Sequence, residues 1–223
     1  MGAPETHDFV FPKWTNLLRP VLAALLLGGP AYLVVFGYYG GSPMTTDVGY
    51  APIQPVPYSH AMHAGQLGMD CRYCHTSVEK AAFAAIPPTQ TCINCHTKVR
   101  ATSPKLQPVR DSAATGLPVE WIKVHDLPDY VYFNHSAHVR RGVGCVSCHG
   151  RVDKMEVVYQ VERLSMGWCL ECHRNPDQHL RPPEFATKMD WAPPDDVSRD
   201  EFGAKLRIQN KINPPQDCSA CHR

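Results

Sequence analysis

A fold of short helices and irregular loops, organised by attached prosthetic groups rather than by an apolar protein core and carrying one N-terminal transmembrane helix, is predicted by three observations. All ten cysteines fall in five C-x-x-C-H motifs, and 21 of the 223 residues are proline. A single run of about 20 uncharged, mostly apolar residues lies near the N-terminus, and no long amphipathic period follows it.

The motifs are CRYCH at 71–75, CINCH at 92–96, CVSCH at 145–149, CLECH at 169–173 and CSACH at 218–222. Two thiols three residues apart add to the two vinyl groups of haem, and the histidine that follows reaches the iron from the proximal side. Disulfides, zinc sites and thioredoxin-like pairs all permit C-x-x-C, but none requires a histidine directly after it. With 12 histidines in the chain, chance places one after all five pairs less than about once in a million. The chain therefore reads as a multihaem cytochrome c: short helices and irregular loops around five covalent haem c groups (iron), with electron transfer as the default function. The covalent residues are Cys71, Cys74, Cys92, Cys95, Cys145, Cys148, Cys169, Cys172, Cys218 and Cys221, and the proximal iron ligands His75, His96, His149, His173 and His222.

Composition agrees. Proline stands at nearly twice its usual share of about 5%, which favours loops over long helices. Residues 41–223 offer only about 37 residues per haem, too few for a conventional core around each porphyrin. A formal net charge of +1 points to no polyanion partner, and nucleic acid is not expected.

Residues 16–40 form the expected membrane anchor. A cleaved signal peptide would have a shorter apolar region ending in a small-residue site, whereas Phe36, Tyr38 and Tyr39 read as an interfacial belt. Lys13 and Arg19 precede the apolar run and no Lys or Arg occurs between Pro20 and Cys71, so the N-terminus (1–15) is expected in the cytoplasm and the haem domain (41–223) in the periplasm of a bacterial inner membrane. His7 then lies on the wrong side to ligate iron. Gly28, Gly29 and Pro30 interrupt the span; Pro30 leaves the Leu26 carbonyl without its helical donor, which a neighbouring helix would accommodate.

An internal repeat divides the haem domain. His60-x-x-His63 precedes Cys71 and His135-x-x-His138 precedes Cys145, each followed by a second motif. This predicts a dihaem module at 58–100, a linker at 101–130, a second dihaem module at 131–175 and a C-terminal arm with the fifth haem at 176–223. Histidines three apart on one turn lie on neighbouring faces and reach two different irons. Beyond His7 and the proximal set, six histidines remain for five distal positions: His60, His63, His125, His135, His138 and His179. Saturated ligation leaves no open iron for substrate, which favours electron transfer over catalysis. For the fifth distal position His179, six residues past His173 among Pro176, Pro182 and Pro183, is preferred over His125, Met155 and Met166. Met155, at the same offset from His149, is the alternative, and would give a His/Met haem of higher potential.

The stretches PYSHAMHAGQLGMDCRYCHTSVEKA, WIKVHDLPDYVYFNHSAHVRRGVGCVSCHG and MEVVYQVERLSMGWCLECHRNP resemble the pentahaem cytochrome subunit of bacterial alternative complex III, and the doublets resemble the broader cytochrome c3 and c7 type. The resemblance implies an electron-carrier subunit, not an enzyme by itself, in a membrane complex that oxidises menaquinol and passes electrons to a periplasmic cytochrome c, a copper carrier or a terminal oxidase. It implies as partners an iron-sulfur subunit, polytopic membrane subunits bearing the quinol site and monohaem cytochrome c subunits, and makes His60, His63, His135 and His138 distal ligands. The competing readings are a membrane-anchored quinol dehydrogenase of the NapC and NrfH sort, which needs a haem with an open face, and a catalytic multihaem reductase, which commonly lacks one proximal histidine.

Overall fold

The structure, a computed structural model, describes residues 11–222, so His7 lies outside the described residues. The chain divides between residues 46 and 47 into two units.

In the first unit a 3-10 turn, Lys13–Leu17, leads into the α-helix Leu18–Gly40, and a single turn, Pro43–Thr46, follows. At 1.5 Å per residue the 23-residue helix extends about 35 Å. It is long and apolar enough to cross a bilayer, whose hydrocarbon core is about 30 Å thick. Pro30 lies inside the helix without ending it, although Gly28 and Gly29 beside it are themselves poor helix formers. Near the C-terminal end Tyr32 stacks on Phe36 and Tyr38 meets Tyr39 edge to face.

The second unit holds short helices and loops and, among the described residues, no β-strand; one isolated antiparallel bridge joins Val143 and Leu180. Its apolar core is thin. Eight hydrophobic residues are buried among those described, and Val78, Val139 and Ala186 form the central cluster, with Ala84 packed against it. A protein-only domain of this size ordinarily buries far more, so the fold depends on groups beyond its own side chains.

The segment expected as a linker is partly helical: Gln107–Thr115 packs on Thr89–His96, tied by a Thr89–Ser112 hydroxyl contact of 2.6 Å, and ends at Gly116 in the left-handed region (φ 76°). The arm carries an 11-residue helix, Arg199–Gln209, with Ser198 as N-cap, acidic Asp200 and Glu201 in the first turn and Arg207 in the last. This helix packs on the 3-10 turn Asp177–His179. Arg207 donates to both carboxylate oxygens of Asp177 (2.6 and 3.3 Å), and Gly203 lies so close that a Cβ there would overlap the Asp177 carbonyl. Trp191 closes the arm, with Phe202 at 5.4 Å and the guanidinium of buried Arg181 at 5.3 Å from its ring.

Candidate haem-binding site

Every motif sits on a short helix: Cys71–Cys74, Thr89–His96, Val146–His149 with Cys145 as its N-cap, Met166–Arg174 and Cys218–Cys221. One turn puts positions i and i+3 on neighbouring faces, so both thiols of a pair project together, with the histidine at the end of the turn. Three of these turns start on a side-chain cap: Asp70 accepts from the Arg72 N–H, Ser165 from Trp168 and Asp217 from Ala220. Such caps hold turns too short to persist alone.

All ten cysteines are free of disulfides. Burial pushes the Cys148 thiol up to about 12, with the neighbouring thiols Cys172, Cys169 and Cys145 adding to it. Burial likewise pushes Cys71 and Cys172 to about 11, with Cys145 next for Cys71 and Cys169 next for Cys172. A thioredoxin-like site requires the opposite shift. Nor do the described residues bring three or more His, Cys, Asp or Glu around a common point that would hold a free metal ion. A porphyrin-held iron needs only two axial ligands from the chain.

The histidines fit that requirement. Nδ1 of His75 donates to the Ala85 carbonyl (2.8 Å), His96 to Val99 (2.9 Å), His173 to Pro215 (2.6 Å) and His222 to Tyr130 (3.1 Å). In the doublets His63 donates to Ser59, His135 to Ala82 and His138 to Asn134, each at 2.8 Å. A carbonyl oxygen only accepts, so each of these seven rings carries its proton on Nδ1 and presents the Nε2 lone pair, the form an iron binds. Ala85 adopts a left-handed backbone (φ 49°), a conformation costly for alanine, at the residue whose carbonyl holds His75.

The rings are also spaced for a shared iron. Metal–imidazole bonds of about 2.0 Å, with each ring centre about 1 Å behind its donor nitrogen, separate two trans imidazoles by roughly 6 Å. Centroids of His63 and His96 are 6.2 Å apart, His138 and His173 6.0 Å, and His135 and His149 6.5 Å. His60 is lowered to about 4 by burial and then by the charge of His75. Burial also holds His149 near 3, so both rings are neutral, as ligation demands.

His125 meets His149 edge-on at 4.4 Å, too close for an intervening iron, and its buried Nε2 has no hydrogen-bond partner. His179 is half-buried in the Asp177–His179 turn. Burial lowers its pKa, and its electrostatic neighbours are Glu162, Arg199, Arg181 and Asp200. Met155 is buried, its carbonyl accepting from Ala61 beside the first doublet, while Met166 is exposed.

Two positioning residues escaped the sequence reading. Tyr58 stacks on His63 (4.4 Å, 22°) and meets His60 edge-on (4.8 Å). Phe133 does the same to His138 (4.5 Å, 30°) and His135 (4.7 Å). An aromatic residue two positions before each doublet was the available signal.

Paired thiols on single turns, imidazoles with committed tautomers and rings at trans-ligand spacing define a multihaem c-type cytochrome, an electron-transfer protein. Bound haem supplies a one-electron iron couple, while the chain supplies thiols, axial nitrogens and their orientation. Residues 131–223 match the family described as cytochrome c7 and related cytochrome c. The chain is 30% identical to the multiheme cytochrome c subunit of menaquinone reductase from Nitratidesulfovibrio vulgaris Hildenborough, over 71% of this chain and 83% of that protein. The chain belongs to the multihaem cytochrome c family.

Proposed function

We propose that this chain is the electron-transfer subunit of a membrane-bound, quinol-oxidising respiratory complex. In this reading five haem c groups, anchored by residues 16–40 and facing the periplasm, pass electrons toward a cytochrome c or a terminal oxidase. The observation that carries it is the spacing of the ring pairs His63/His96, His135/His149 and His138/His173, which supports two protein ligands at each of those three motifs and so favours electron transfer over substrate binding there. His60 completes the motif of His75. His179 is proposed for the motif of His222, the motif left without a distal ligand once His60, His63, His135 and His138 are placed.

The quinol link draws support from the menaquinone reductase relative and from the resemblance to alternative complex III. On that resemblance the partners are an iron-sulfur subunit, polytopic quinol-site subunits and monohaem cytochrome c. The outward orientation rests on Lys13 and Arg19 before the apolar run that starts at Pro20.

The test has two arms. Intact mass of the purified protein is expected to show five haem increments. The isolated subunit mixed with a reduced menaquinol analogue is expected to stay oxidised until its partner subunits are added. Rapid reduction of the isolated subunit instead identifies a quinol dehydrogenase of the NapC and NrfH sort.

A further inference from the structure

We infer that the five haem motifs form one unbranched line in the order second, first, third, fourth, fifth, and that electrons cross the surface of the domain at its two ends, the motifs of His96 and His222. The inference rests on the five-haem reading above and deepens it, because chain order and spatial order differ.

Four links set the line. Tyr58 touches both His60 and His63, so one side chain fixes the distal rings of the first and second motifs. Phe133 does so for the third and fourth through His135 and His138. The first and third motifs meet on two consecutive residues of the arm. The Cys145 N–H donates to the Ala186 carbonyl (3.0 Å), while Cys71 Sγ lies 3.9 Å from the Thr187 carbonyl and the Thr187 hydroxyl donates to Asp70 (3.0 Å). The same junction is braced by His135, whose backbone N–H and Nδ1 both donate to Ala82 of the first module. The fourth and fifth are joined by the His173–Pro215 hydrogen bond of 2.6 Å, three residues before Cys218. The fifth is then tied back to the start of the second module by Tyr132 N–H on the Cys221 carbonyl, and to the end of the linker by His222 on Tyr130.

Exposure marks the ends independently. Of the ten cysteines, Cys95 and Cys218 alone are exposed. They belong to the second and fifth motifs, while His149 of the third, in the middle, is enclosed by His125 and His135. The second motif is followed by exposed Lys98 and Arg100, which offers an acidic redox partner a docking charge beside that end.

An iron map of the complete holoprotein, by anomalous scattering or cryo-electron microscopy, tests the order directly, since each iron is assigned by its thioether links. The expected nearest-neighbour pairs are second–first, first–third, third–fourth and fourth–fifth, with single neighbours at the ends. Five irons in another order overturn this inference and leave the five-haem reading intact; fewer than five irons overturn that reading. A haem-resolved redox titration of His63→Met is the second test. The midpoint of the second motif is expected to shift most, that of the first next through charge coupling, and that of the fifth not at all. A larger shift at the fifth than at the first overturns the line.

Discussion

The Phe133 ring lies against the His138 imidazole with centroids 4.5 Å apart and planes inclined by 30°. With Nδ1 held by the Asn134 carbonyl at 2.8 Å, the imidazole is fixed both in tilt and in rotation. An aromatic pair of this kind contributes about 1 kcal/mol beyond burial. Phe133→Ala removes that and the burial of a half-buried ring, so it is expected to lower stability by about 2–3 kcal/mol. It should also change the low-spin electron paramagnetic resonance signals of the third and fourth haems at full haem content. Tyr58→Ala does the same for the first and second. Unchanged spectra in both variants would reduce the two rings to ordinary packing.

Removing a distal imidazole opens one iron. His63→Ala is expected to turn the haem of the His96 motif high-spin, and His138→Ala that of the His173 motif, with the other haems low-spin. Magnetic circular dichroism reads the count. Conversion of a haem on a different motif would break the assigned pairs.

For the fifth motif, His179→Ala is expected to convert one haem to high-spin, whereas Met155→Leu leaves all midpoints unchanged. The reverse pattern, with a lowered midpoint in Met155→Leu, would identify a His/Met haem.

Gly203 sits where the Arg199–Gln209 helix crosses the Asp177 carbonyl. Alanine there gains up to about 1 kcal/mol of helix propensity, but the overlap forces the helix off its turn and strains the Asp177–Arg207 pair. Overpacking of this kind costs about 1–3 kcal/mol, so net destabilisation and faster proteolysis of the arm are expected. A raised melting temperature would contradict it.

Asp70 is held at about 2, below its ordinary 3.8, chiefly by the Arg72 hydrogen bonds. Because the folded value is the lower one, the stabilisation is present in full above the unfolded value and fades as pH falls through about 2. Asp70→Ala is expected to cost about 1 kcal/mol at neutral pH through the lost cap. The ion pair adds little because both side chains are more than a third exposed. Denaturant melts of both proteins at pH 7 and near pH 2 check this; an equal gap at both would show that the charge is irrelevant.

The five motifs and the two doublets stood out in the sequence because covalent attachment imposes one fixed local spacing and a helical turn another, and the structure places them on or beside short helical turns. The Nδ1 partners did not stand out. Ala85, Val99, Pro215 and Tyr130 stand at unrelated distances along the chain from the rings they hold, and a backbone carbonyl leaves no trace in residue identity. The Arg199–Gln209 helix had readable signals in Ser198, Asp200 and Glu201, but the prolines flanking it argued more loudly for loop. The role of Tyr58 and Phe133 was hidden for a different reason: a lone aromatic is more often packing, and only its repetition before both doublets gives it meaning.

The placement of the doublets before their motifs has a consequence for synthesis. A chain exported from its N-terminus delivers His60 and His63 ahead of Cys71 and Cys92, and His135 and His138 ahead of Cys145 and Cys169. On the proposed ligand assignment, the distal nitrogens of both modules are therefore waiting when each porphyrin is attached. The fourth motif is the exception in its proximal half: the Pro215 carbonyl that orients His173 emerges 42 residues after it, so that imidazole acquires its orienting bond only as the last stretch of chain arrives.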